Sequence, residues 1–155
     1  MRREIKFRAW DQERKRMLYY ADDYSYKSSP GNLRFYGAAI HMTGLIMENL
    51  GGYDSEGYPK SDWIFPHESS LILMQFTGLR DRQGNEIYEG DIVYSRLNDQ
   101  QGEVRFEFGQ FYVAYIGGGF MCSLAAWAHP QDGDGCVVLG NFYEHMAAIV
   151  REATG

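Results

Sequence analysis

Four carboxylates crowd one short stretch of this 155-residue chain: Asp81, Glu86, Glu89 and Asp91. Carboxylates at close quarters can divide general-acid and general-base work when their surroundings separate their pKa values, and a hard cation binds where several such oxygens converge. The spacing here does not match a calcium loop, and turn chemistry accounts for two of the four. Asp81-Arg82-Gln83-Gly84-Asn85 has the Asp-to-Gly spacing of a type I turn closed by a left-handed glycine. Asp91 follows Glu89-Gly90 and precedes Ile92-Val93, the place where an aspartate accepts a backbone N–H as the chain turns into a strand.

Other chemistry-bearing residues form no recognisable constellation. His41, His67, His129 and His145 are scattered without zinc-site spacing. Cys122 and Cys136 lack a C-x-x-C arrangement, and Cys122 sits in an apolar run where a thiol packs rather than reacts. Gly117-Gly118-Gly119 has no lysine and no following helix, so it reads as a hairpin turn rather than a phosphate loop, as does Gln131–Gly135. The expectation is therefore no catalytic residue, no metal and no cofactor.

The elements that carry these residues are short and mostly extended. Glu4–Trp10 alternates, with Ile5, Phe7 and Ala9 on one side and Lys6 and Arg8 on the other, and a polar connection leads to Arg16–Tyr20, predicting an N-terminal hairpin. Leu33–Tyr36 is a further strand candidate. From Asp22 to Ser70 the pattern otherwise weakens: Ser28–Asn32 and Gly51–Pro59 read as loops, and the Tyr53–Pro66 segment as a long loop. Leu71–Thr77 predicts a buried strand. Five more short strand-like segments follow, at Ile92–Leu97, Gly102–Phe108, Gln110–Ile116, Phe120–Ala126 and Gly135–Gly140. So many short strands imply a small antiparallel barrel or a strongly bent sheet. Asn141 is placed to cap a closing helix over Phe142–Glu152, with Met146, Ile149 and Val150 at helical spacing. The best boundary lies near residue 70, dividing an N-terminal lobe (1–70) from a barrel with its helix (71–155).

Composition bounds the function classes. Hydrophobic residues at 45% and aromatics at 15% predict a packed core rather than disorder. The net charge of −6 argues against indiscriminate nucleic-acid binding. The distribution is uneven: Arg2, Arg3, Lys6, Arg8, Arg14, Lys15 and Arg16 give residues 1–16 a net +4 and leave −10 on the rest. That cluster is a candidate polyanion contact, with Trp10, Tyr19 and Tyr20 beside it for stacking. Two cysteines without a framework, no apolar leader and no long apolar run predict a soluble protein of a reducing cytoplasm, away from membranes.

Three blocks carry a resemblance: Ile5–Asp11 (I-K-F-R-A-W-D), Met74–Val93 around Thr77-Gly78-Leu79 and Glu89-Gly90-Asp91, and Gly140–Glu144 (G-N-F-Y-E). In this order they resemble the YopX family of phage and prophage proteins. Two features depart from the family pattern: His145-Met146 follows the last block where Asn-Pro is usual, and the loop after Gly51 looks long. The resemblance implies phage or prophage origin, hence a bacterial host cytoplasm. It also implies a mainly β fold with a small SH3-like antiparallel barrel in the C-terminal half, to which the residue pattern adds an N-terminal β-hairpin lobe and a short C-terminal helix. It brings no assigned activity. Thr77, Gly78, Asp81, Gly84, Glu89, Gly90 and Asp91 accordingly read as a structural signature. The preferred expectation is a non-enzymatic interaction module with an unknown protein partner, a second copy included, and the aromatic segment Tyr53, Tyr58, Trp63 and Phe65 as its contact. Nucleic-acid binding through the basic hairpin is the alternative, and a hydrolase built on the four carboxylates ranks last.

Overall fold

Where apolar residues alternate and Gly or Asp punctuates, the backbone is extended in short antiparallel strands, so the protein is mainly β. The computed structural model describes residues 4–19, 33–36, 45–64, 71–97, 99–117, 121–128, 135–146 and 148. Two compact units divide the chain: Lys6–Leu73, and Met1–Ile5 together with Met74–Gly155.

In the first unit, β1 (Phe7–Asp11) and β2 (Arg16–Tyr19) form the expected hairpin, pairing Ala9 with Leu18 and Asp11 with Arg16. Ala9 and Leu18 are fully buried, with Leu71 and Leu73 packed against them. Alternation predicts an exposed Arg8, yet Arg8 and Trp10 are buried as well as Ala9. Both faces of β1 are therefore covered, whereas a half-buried pattern assumes one face in solvent.

The described residues in the middle of the chain are extended where composition suggests loops. β3 (Leu33–Tyr36), β4 (Leu45–Tyr53) and β5 (Pro59–Ile64) form an antiparallel sheet in the order β3-β4-β5. Gly51-Gly52, read above as loop, lies within β4, where the pairing register shifts between Asn49 and Tyr53. An irregularity of this kind is where glycine belongs inside a strand. The predicted Tyr53–Pro66 loop is thus a tight hairpin for its described part, Tyr53–Ile64. Its turn, Asp54–Tyr58, is built by Asp54, whose Oδ1 accepts the N–H groups of Glu56 and Tyr58 at 2.9 Å each.

In the second unit, β6 (Leu71–Arg80, here from Met74) pairs with β7 (Glu86–Tyr88). Then β8 (Asp91–Ser95), β9 (Gln100–Glu107), β10 (Gln110–Tyr115), β11 (Met121–Ser123) and β12 (Val137–Asn141) form one antiparallel sheet, ordered β11-β10-β9-β8-β12. The segment predicted as a strand over Phe120–Ala126 stops at Ser123, and α1 (Leu124–Ala128) follows it. Alanine-rich Leu-Ala-Ala-Trp-Ala is a good helix sequence, and Leu124 and Trp127, three residues apart, both turn inward. The Gln131–Gly135 turn read from the sequence lies, all but Gly135, outside the described residues, between the end of α1 at Ala128 and the start of β12 at Val137. Residues 142–146 and 148 are helical, as expected for the closing helix; Ile149 and Val150 lie outside the described residues.

Val93, Val104 and Val113, one each from β8, β9 and β10, make the centre of the core with Ile87, Leu124, Trp127, Ala128 and Cys136. Their neighbours one residue away, Ile92, Glu103 and Ala114, stand on the opposite face of the sheet, because strand side chains alternate. Gly102 pairs with Val93 and Tyr115, and a Cβ there would collide with Val113 and the carbonyl of Ala114.

Candidate interaction groove

Asp81 is buried, and its two oxygens are fully engaged: Oδ1 accepts the N–H of Gln83 and of Asn85 at 2.9 and 2.8 Å. Oδ2 accepts Asn85 Nδ2 and the N–H of Val138, both at 3.0 Å. Burial alone would raise its pKa. The donors from Val138, Asn85 and Gln83 outweigh that and hold the carboxyl below the ordinary range. Gly84 at φ +88° closes the turn, as read from the sequence. The turn also docks on β12, since Arg82 N–H donates to the Cys136 carbonyl at 3.0 Å.

The other three carboxylates have separate duties. Glu86 accepts Arg80 Nη2 and the Tyr88 hydroxyl, each at 2.8 Å. Glu89 accepts the Gln75 N–H at 3.4 Å, and buried Asp91 accepts the Tyr88 N–H at 2.8 Å. Thr77, whose hydroxyl donates to the Ile87 carbonyl at 2.8 Å, fastens β6 to β7, and Gly78 beside it has φ +84°. Among the described residues, no three His, Cys, Asp or Glu side chains gather as a metal site would require.

Two of the sequence blocks meet at Gly90. Its N–H donates to the Val104 carbonyl and its own carbonyl accepts the Phe142 N–H, both at 2.8 Å. At φ +79° it suits glycine, and a Cβ would press on Asn141 Nδ2 and Met74 Sδ. Asn141 Oδ1 accepts the Tyr143 N–H at 3.0 Å, the N-cap predicted for the closing helix. Burial raises the pKa of the Tyr143 hydroxyl, and Glu103 and Glu89 add to the effect. These bonds lock the helix start against the sheet, and that placement opens a groove.

The groove, of about 770 Å³, lies over the outer face of β8, β9 and β10 beside β12 and the terminal helix. Ile92, Glu103 and Ala114 belong to its lining, and Ile116, Leu139, Phe142 and Met146 are its exposed apolar side chains. Met146, one of the three apolar residues at helical spacing, is 44% exposed. Polar character comes from Gln101, Glu144, His145 and a close ion pair: Arg105 Nη2 and Nε donate to Glu103 Oε2 at 2.7 and 2.9 Å. Both nitrogens converge on a single oxygen, which leaves Oε1 for another donor. The pair holds Arg105 protonated, its pKa raised by the Glu103 bond.

None of the described residues singled out as contacts from the sequence lines this groove. Tyr53 and Tyr58 are exposed at the β4–β5 turn, and Trp63 lies in β5. Phe65 lies outside the described residues, as do Arg2 and Arg3. In the basic hairpin, Arg14 Nη1 and Arg16 Nε stand 3.2 and 3.6 Å from Asp11 Oδ2, and Arg8 is buried. Sequence reading missed the groove because its residues come from four separate segments of the chain. One signal was available: Glu103 and Arg105 both fall on the outward phase of β9.

A family model described as YopX protein matches residues 6–147, nearly the whole chain. The chain belongs to the YopX family. Among solved structures, the YopX chain is similar to protein EF1440 from Enterococcus faecalis, at 26% identity and a TM-score of 0.53, covering 94% of this chain and 97% of that one. No curated protein matches it. The blocks that carry family membership, Met74–Val93 and Gly140–Glu144, are those whose backbone bonds fix β6, Gly90 and the terminal helix. In this YopX protein the signature therefore builds the frame around the groove.

Proposed function

We propose that this protein is a non-enzymatic interaction module of phage or prophage origin, acting in the host cytoplasm, with the groove as its contact site. The reading rests on one observation: four exposed apolar side chains, Ile116, Leu139, Phe142 and Met146, rim a cavity of about 770 Å³, a volume ordinary for ligand sites. Apolar surface gathered in a concavity and edged by polar groups is the anatomy of a protein contact. The strand order β11-β10-β9-β8-β12, with a helical turn between the last two strands in sequence, supports an SH3-like reading of this sheet. That likeness adds a fold analogy only. The groove suits a short segment of a protein that buries one or two apolar side chains and offers a donor to Glu103 Oε1 or Glu144.

Selection from a displayed random-peptide library tests it. Recovered peptides are expected to share an apolar anchor and to lose binding to Leu139→Asp and Ile116→Asp variants. Failure to enrich any peptide, or binding indifferent to both substitutions, removes the groove as the site.

Nucleic-acid binding has less support. The basic hairpin answers its own Asp11, and the remainder of the chain carries −10.

A further inference from the structure

The β9–β10 hairpin ends in a two-residue turn, Phe108-Gly109, with φ +52° and +78°. A turn that needs both central residues left-handed favours Asn-Gly or Gly-Gly, since a Cβ crowds the backbone there. Phe is a poor choice on conformational grounds. It is also a poor choice for solubility: Phe108 is 90% exposed, and Phe106 behind it is 44% exposed against Phe111, ring centroids 4.9 Å apart. Among the described residues of its own unit, nothing covers this strained aromatic. Strain of this kind concentrates at contact sites, where it presents a side chain for use.

Its occupant must be an apolar pocket. A bilayer fits poorly, because one or two aromatic rings on an acidic chain do not hold a domain at a membrane surface. Among the described residues of the same unit, the groove is an apolar pocket of suitable size. Its floor lies back along the same hairpin at Gln101, Glu103 and Arg105, and extended strands do not fold back to seat their own tip. A second copy has no such constraint.

We infer that the Phe108 tip of one copy inserts into the Ile116–Leu139–Phe142–Met146 groove of another, making the chain self-associate head to tail. The inference rests on the groove being a contact site and names its occupant. Such a contact is heterologous: each copy uses its tip on one neighbour and its groove on the next, so assembly continues until a ring closes or concentration limits it.

Sedimentation velocity across a concentration series, with two variants, decides the matter. Wild type is expected to grow in mass with concentration, with dissociation in the micromolar range, about 1–100 µM. Phe108→Gly removes the anchor and the backbone strain together. It is expected to melt higher than wild type while association weakens at least about tenfold, a combination that a merely structural phenylalanine would not produce. Leu139→Asp, at an exposed position, is expected to weaken association similarly. Mixed together, the two variants retain one intact groove and one intact tip, and are expected to stop at a 1:1 dimer. Wild type that stays monomeric throughout, Phe108→Gly that associates like wild type, or a mixture without dimer overturns the inference. If Leu139→Asp alone loses association or peptide binding, the groove stands and the tip does not.

Discussion

Asp81 shows how a single side chain can look catalytic and be architectural. Four donors converge on it, and one of them, Val138, lies 57 residues away in the chain. Replacing Asp81 with Ala strands those donors at a buried site and is expected to cost about 2–3 kcal/mol, measured by urea unfolding. Its depressed pKa has a definite sign: stability from this group is present above the unfolded carboxylate value and is lost as pH falls through the folded one. Acid unfolding of Asp81→Asn should therefore be flatter than that of wild type below about pH 4. Cys136 behaves oppositely. Burial and the nearby Asp81 charge push its thiol up to about 11, so alkylation at neutral pH is expected only after unfolding, checked by mass spectrometry with and without denaturant. Gly102 has no room to change: Gly102→Ala drives a Cβ into Val113 and is expected to cost about 2–3 kcal/mol in thermal or chemical unfolding.

At the scale of elements, one turn design recurs. Asp54-Ser55-Glu56-Gly57-Tyr58 and Asp81-Arg82-Gln83-Gly84-Asn85 make the same bonds: Asp N–H to the fifth residue's carbonyl, glycine N–H to the Asp carbonyl, and Asp Oδ1 to the third and fifth N–H groups. The glycines have φ +87° and +88°. The chain has thus closed two hairpins, one in each unit, with one device, yet only the Asp81 turn was recognised from sequence. Gly51-Gly52 drew attention to the wrong glycines, since inside β4 they serve an irregularity rather than a reversal. The N-terminal hairpin departs from the device, with Lys15 rather than glycine left-handed at φ +52°. Lys15→Gly is expected to raise stability by about 0.5–1 kcal/mol, read as a higher melting temperature. Asn141→Ala is expected to lower it by about 1 kcal/mol and to loosen the terminal helix, visible in amide hydrogen exchange at Tyr143.

For the whole molecule, charge and surface apolarity decide what it can meet. The basic cluster spends Arg14 and Arg16 on Asp11 and buries Arg8, and the rest of the chain is acidic. No retardation of single- or double-stranded DNA or RNA is expected in gel shifts near 0.15 M salt, because a chain of this charge distribution gains little from counterion release. Among the described residues no helix is long and apolar enough to cross a membrane. The residue types and spacings alone carried the family, the mainly β class, the N-terminal hairpin, the Asp81 turn and the Asn141 cap. All of these are written in local periods and turn chemistry within a few residues. What only the tertiary structure decided are the covered second face of β1, the order β11-β10-β9-β8-β12, and the groove. Each of these depends on which segments lie side by side, and a strand's alternation says that it has two faces without saying what covers either one.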